Sequence, residues 1–272
     1  ISYTFKKMYA FKQNNLQEFF VTDDGEVHWF DPTSTFYSDC AFNSGKKFKA
    51  STMLGVSEDG ILLYDEVGKY FLSYSTWNTM YAKSESTRLS GADALEGSEL
   101  IYMQGIEDGS VIVITKDPDG KYRRYIYTTS LDFSSYPPGA VFKQQANFTR
   151  ELQNNASMLE EADHMVIDRG NGFVYFAIGN TLYNYREGAG IDACVKLENL
   201  TFEGEKVILD EITTMAVVTD GKYNKNIVVA TYSAGNKGNV YILQPDQSES
   251  RDLKVVEVIP IDGKVKSISY WQ

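Results

Sequence analysis

A side-chain nucleophile needs a base beside it, and this 272-residue chain holds only two histidines, His28 and His164. His28 falls between Val27 and Trp29 in a strand-like run and His164 opens another, so both read as structural histidines rather than as parts of a Ser-His-Asp set. No Gly-x-Ser-x-Gly elbow occurs, and no Gly-rich phosphate loop opens a helix. Cys40 and Cys194 lie 154 positions apart and read as two separate buried thiols. Their spacing from the two histidines does not make a zinc site. Glycoside hydrolysis asks for less, only two carboxylates facing each other across a cleft, and 37 acids are available. Most of them stand in turns, where an Asp side chain bonds its own backbone. Asp117-Pro118-Asp119-Gly120 begins like a calcium loop. A full loop ends on a bidentate acid about twelve positions after its first ligand, and position 128 is Thr, which favours a plain turn. Asp117 and Asp119 therefore stand as a weak calcium pair, and no other cofactor is expected.

Binding makes the better functional case. Sugar rings stack their C–H faces on aromatic side chains while their hydroxyls meet amides and acids. Trp77 and Tyr81, in the polar run Ser75-Thr76-Trp77-Asn78-Thr79-Met80-Tyr81, are the leading candidates for that contact, with Tyr37 and Tyr136 behind them. Trp29 and Trp271 fall in strand-like segments and are assigned to the core. The formal charge of −11 argues against a nucleic-acid or anionic-membrane partner, since both require a concentrated basic face. No run approaches the length of an apolar membrane-crossing helix. The chain opens at Ile1 without an initiator Met or a signal peptide and reads as a fragment of something longer.

The elements that must position these residues are strands. Aromatic content is high, with 19 Tyr and 15 Phe, types suited to pleated surfaces. The clearest unit runs over residues 170–185. Six consecutive apolar residues, Phe173-Val174-Tyr175-Phe176-Ala177-Ile178, lead into Gly179-Asn180, a tight-turn pair, and then into a second aromatic run. A strand apolar on both faces must be covered on both. Turn pairs of the same kind recur as Asp24-Gly25, Asp59-Gly60, Asp108-Gly109, Asn171-Gly172, Asp220-Gly221 and Asp262-Gly263, with spacings of 35, 49, 63, 49 and 42 residues. Most of these lie near the length of a four-stranded propeller blade, about 40–50 residues.

The sequence thus predicts an all-β protein, a β-propeller of about six (five to seven) four-stranded antiparallel blades, forming one domain over residues 1–272. A last strand over 264–271 is expected to close the ring by pairing with a strand drawn from residues 1–11 or 17–30. Phe148, Leu152, Ala156, Leu159 and Ala162 recur at helical steps and predict a short amphipathic insertion over 147–162. Residues 76–97 and 132–143 read as surface loops.

Several segments carry a resemblance. Ala162-Asp163-His164-Met165-Val166-Ile167-Asp168, running into the hairpin from Phe173, resembles a blade of the PKD-like family lipoproteins of Bacteroidetes. Val228-Val229-Ala230-Thr231-Tyr232 with Gly238-Asn239-Val240-Tyr241-Ile242 is similar to that family's next blade, and the run from Gly263 to Tyr270 to its closing strand. The resemblance implies a propeller behind a lipidated cysteine and immunoglobulin-like modules, exported to the cell envelope or outer membrane and associated with glycan uptake. It offers no catalytic residues. On this reading the chain is a monomeric, non-catalytic extracytoplasmic module that binds glycan or a neighbouring envelope protein. The alternative is a carbohydrate-active enzyme with paired carboxylates in a central channel.

Overall fold

The computed structural model describes residues 5–13, 15–22, 27–30, 53–57, 60–65, 69–75, 95–106, 110–129, 140–246, 248 and 251–268. The chain gathers into two compact units, one reaching Thr149 and the other starting at Arg150.

In the N-terminal unit, β1 (Phe5–Gln13), β2 (Asn15–Thr22) and β3 (Val27–Phe30) form one antiparallel sheet. A second consists of β4 (Met53–Ser57), β5 (Gly60–Asp65) and β6 (Tyr70–Ser75). A third is the four-stranded meander β7 (Glu99–Gly105), β8 (Val111–Lys116), β9 (Tyr122–Thr129) and β10 (Ala140–Gln144). The Val-Ile-Val-Ile run of β8 has no polar face, and its residues 111–115 are all buried. Leu62 and Tyr64 of β5 pack with Met103, Val111, Val113, Tyr125 and Tyr127, so the second and third sheets share one core.

β10 corrects an expectation, since residues 132–143 read as a surface loop and 140–143 begin a strand paired with β9. Alternation explains the difference: Val141 is exposed, whereas Phe142 is buried with its ring 5.1 Å from Tyr127 and 5.2 Å from Phe71. Two bulky residues of opposite facing give a five-residue edge strand little sequence signal.

The predicted helical insertion is two helices, α1 (Ala146–Asn154) and α2 (Ala156–Glu161), interrupted at Asn155. Then follows a second four-stranded meander, β11 (His164–Asp168), β12 (Phe173–Ile178), β13 (Thr181–Arg186) and β14 (Val195–Lys196). The leading hairpin falls where its turn pair places it, with Gly179 at φ +58°. The last sheet has six strands. Its meander is β17 (Glu211–Val217), β18 (Ile227–Ser233), β19 (Lys237–Pro245) and β20 (Leu253–Asp262). The hairpin of β15 (Leu200–Phe202) and β16 (Glu205–Lys206) is added outside β20, with β15 parallel to it. Phe173, Tyr175 and Ala177 on one face of β12 meet Ile227, Val229, Tyr241, Leu243 and Val255 of the last sheet. Burying each such side chain contributes about 1.5–3 kcal/mol, which makes this shared layer the main stabilising element of the C-terminal unit.

A strand over 264–271 is not observed. β20 ends at Asp262, residues 264–268 lie outside any strand, and 269–272 are outside the described residues. Gly263, at φ +127°, turns the chain, and Ile268 then packs on the cluster of Val218, Val228 and Ile242. The segment expected to close the ring instead supplies Ile268 to the face of the sheet. Among the described residues β20 pairs with β19 and β15, and β1 with β2.

Gly238 of β19 lies between this turn and Thr231 of β18. A Cβ there would lie 2.7 Å from both the Thr231 and Gly263 carbonyl oxygens, which are backbone atoms and cannot step aside. Gly238→Ala is therefore expected to lower stability by about 1–3 kcal/mol in urea unfolding, an overpacking cost.

Candidate functional site

Trp77, Tyr81, Tyr37 and Tyr136 all lie outside the described residues, as do Cys40 and Trp271. Asp117 is described, and both its carboxylate oxygens are engaged. Oδ1 accepts the Lys121 N–H at 2.8 Å, and Oδ2 accepts from Arg123 Nε at 2.8 Å, with Nη2 also at 2.8 Å. Burial pushes the Asp117 carboxyl upward, but the Lys121 N–H and the Arg123 guanidinium outweigh it and hold the carboxyl below the usual range. Gly120 N–H closes the turn on Asp117 O at 2.9 Å, and Gly120 has φ +79°. A guanidinium thus stands where a cation would approach Asp117. Among the described residues no three His, Cys, Asp or Glu side chains gather as a metal cage.

The candidate site in the C-terminal unit is a groove of about 330 Å³ at the end of the β19–β20 hairpin, lined by Thr201, Gln244, Pro245, Asp246, Asp252, Leu253 and Lys254. Its shape follows from the strand ends. Pro245 has no N–H to give the ladder, so β19 stops there. Asp246 N–H bonds Asp252 O at 2.9 Å, and Ser248 bonds back to Asp246 through N–H at 2.9 Å and Oγ at 2.7 Å, a local Asp-capped turn. Parallel pairing sets Thr201 of β15 opposite Lys254 of β20, which walls the groove on its outer side. Leu253 is buried and forms an apolar floor, while Gln244, Asp246 and Lys254 are exposed. The lining therefore offers one amide, one hydroxyl, one ammonium and two carboxylates around an apolar base.

Arg251 ties this hairpin to the rest of the unit. It adopts φ +53°, and its side chain, 11% exposed, reaches Asp192 Oδ1 and Oδ2 from Nη2 at 2.7 and 2.6 Å. Arg186 N–H donates to the same carboxylate at 3.1 Å. Asp192 belongs to the segment 187–194, which has no strand of its own and is held from below by α1 and by the break between the helices. Glu151, 1% exposed, accepts from Gly188 N–H at 3.0 Å and from Gly190 N–H at 2.8 Å. Asn155 accepts the Cys194 N–H at 2.8 Å and donates from Nδ2 to Asp192 O at 3.1 Å and Glu151 O at 3.0 Å. Glu151 falls between the apolar positions of its helical pattern, and its burial is explained by these two glycine N–H groups. The Gly188-Ala189-Gly190 run three dozen residues downstream was the available signal, since small residues let a carboxylate approach the backbone.

No family model matches the chain, and no curated protein matches it in sequence. Solved structures do match in fold. A luciferin-regenerating enzyme is 13% identical, with a TM-score of 0.51 over 97% of this chain and 78% of that one. The extracellular domain of a putative hybrid two-component system from B. thetaiotaomicron is 11% identical, with a TM-score of 0.48 over 97% of this chain and 30% of that one. A chain of the mitotic checkpoint complex is 13% identical, with a TM-score of 0.46 over 93% of this chain and 66% of that one. The chain thus spans just under two thirds of the length of the last of these and under a third of the length of the bacterial one. At such identities the likeness is one of fold. With the successive antiparallel meanders it makes this an all-β protein of the β-propeller class.

Two expectations follow from the network. Glu151→Ala leaves two glycine N–H groups without their acceptor and should cost about 1–3 kcal/mol, with hydrogen exchange rising over 187–194. Burial, opposed in part by Arg251, pushes the Cys194 thiol from its ordinary 9.0 up to about 12. The unfolded chain gives up this proton first, so the thiol's contribution to stability is intact below about 9 and is lost as pH rises toward about 12. Alkylation of Cys194, followed by peptide mapping, should be much slower in the folded than in the unfolded chain, and faster with rising pH.

Proposed function

We propose that this chain is a non-catalytic, extracytoplasmic binding module whose ligand is a neutral, hydroxyl-rich molecule of the glycan class. The observation that carries the reading is the lining of the groove. Amide, hydroxyl, ammonium and carboxylate groups alternate around Pro245 and Leu253, a donor–acceptor mixture that suits a sugar ring with its apolar C–H face set on the floor. A phosphorylated or polyanionic ligand fits less well, because Asp246 and Asp252 oppose it and Lys254 is the one cation in the lining. Trp77, Tyr81, Tyr37 and Tyr136 are proposed as additional stacking groups. Envelope placement, and a lipid anchor on a longer parent protein, are proposed from the PKD-like resemblance. No helix among the described residues is long and apolar enough to cross a membrane.

Two carboxylates in one groove also give the hydrolytic alternative something definite to be tested on. Against it, Ser248 already engages both oxygens of Asp246, which leaves Asp252 as the sole carboxylate not committed to that turn.

The test is a neutral-oligosaccharide array followed by calorimetric titration. The double variant Gln244→Ala/Asp252→Ala is expected to weaken binding by about tenfold or more, roughly 1.4 kcal/mol, with the unfolding midpoint unchanged. Trp77→Ala and Tyr81→Ala should weaken it separately. Undiminished binding in the double variant would move the site elsewhere. Release of reducing ends, abolished by Asp252→Asn, would replace the binding reading with the hydrolytic one.

A further inference from the structure

The turn between β11 and β12, Arg169-Gly170-Asn171-Gly172, is fastened to the turn between β17 and β18 through one nitrogen atom. Asn171 Nδ2 donates to Asp168 Oδ2 at 2.6 Å and to Lys225 O at 2.7 Å. Both neighbours are acceptors, so the amide must present its NH₂ here and not its oxygen. Asn171 N–H bonds the other oxygen of Asp168 at 3.0 Å, and Gly172 N–H bonds Asp168 O at 2.9 Å. Asp168 itself is 0% exposed. The partner turn is equally determined. Lys225 takes φ +65°, its N–H bonds Val218 O at 2.8 Å, and its side chain lies so close to Gly170 that a Cβ there would be 3.0 Å from Lys225 Cγ.

The same residue is chemically labile. Asn followed by Gly is the pair in which the next backbone nitrogen meets no side chain on its way to the Asn carboxamide carbon. We propose that Asn171-Gly172 is a latent deamidation site whose rate is set by the Asp168 latch, and that its conversion irreversibly releases the β11–β12 turn from the β17–β18 turn. In the reaction Gly172 N loses its proton to solvent base and attacks Asn171 Cγ. The Cγ–Nδ2 bond breaks, and the departing nitrogen takes up a proton from solvent and leaves as ammonia. Water then opens the resulting succinimide at either carbonyl to give aspartate or isoaspartate. One water enters and one ammonia departs, with no change of oxidation state.

In the closed turn both reacting groups are held. The Gly172 N–H is spent on Asp168 O, and Nδ2 is bound twice, so attack requires the turn to open. The product is incompatible with closing again. A carboxylate at position 171 faces the buried Asp168 carboxylate and the Lys225 carbonyl, three acceptors with no donor among them and two of them negatively charged. The modification therefore runs in one direction structurally as well as chemically. Loss of the latch frees the two turns at one end of the shared core and leaves the groove residues at the other hairpin untouched in sequence.

The full chain is incubated in mildly alkaline buffer, folded and in urea, and Asn171 conversion is followed by peptide mass spectrometry with isoaspartate detection. Expected are conversion in the unfolded chain, conversion at least about tenfold slower in the folded chain, and acceleration of the folded rate by Asp168→Ala. Should Asp168→Ala fail to fold, Asn171→Asp serves as the product mimic. It is expected to show a lower unfolding midpoint and faster hydrogen exchange over both 169–172 and 219–226. Equal rates in folded and unfolded chains would overturn the gating, and absence of conversion in urea would overturn the site. An Asn171→Asp variant with wild-type midpoint and exchange would overturn the release.

Discussion

Strands apolar on both faces can exist in water only between two covering layers, and this constraint governs the rest of the molecule. β8, β12 and β18 are the purest cases among the described residues, each with five consecutive buried residues. A flat sheet with one wet face would leave half of those side chains exposed, at about 1.5–3 kcal/mol for each large one. Packing one meander on another within a unit removes that cost, as the layer joining β12 to β18, β19 and β20 does. Hairpin ends and connections differ from these strands, because their backbone polarity is met by turns and solvent rather than by ladders.

The connections are themselves highly ordered by polar side chains. Segment 187–194 forms no strand, so its N–H groups need acceptors from elsewhere, and Glu151, Asn155 and Asp192 supply or receive those bonds. The helical insertion is thus a polar support under a loop, and its break at Asn155 is the point where one amide serves helix and loop together. Within the N-terminal unit, Arg124 of β9 is 1% exposed, its guanidinium stands 4.3 Å over the Phe148 ring, and its N–H bonds Thr149 Oγ1.

The sequence carried the hairpins well because turn chemistry and apolar runs are local. Phe173–Ile178 was placed to the residue, since Gly179 both ends the strand and provides the positive φ, and its partner, expected to reach Tyr185, runs to Arg186. The missed strands are those whose partners are remote or whose pattern is ambiguous. β15 has three residues and gains its place from parallel pairing with β20, and β14 has only two. β20 mixes Lys254, Glu257 and Pro260 with valines and isoleucines, which hid a ten-residue strand and shifted the expected end of the sheet onto 264–271. The groove was illegible for the same reason. Its residues come from three strand ends brought together by register, and none of them forms a motif in sequence.

The parallel seat of β15 on β20 has a consequence for synthesis. Leu200 and Leu253, which face each other across that seam, are 53 positions apart, with the whole β17–β19 meander between them. On the ribosome the β15–β16 hairpin emerges long before the strand it will lie against, and an isolated hairpin of this size is not stable alone. It must wait, unpaired, until β20 is made. When it docks, it covers the start of the outermost β20 ladder, where an uncovered strand edge would invite pairing between neighbouring nascent chains.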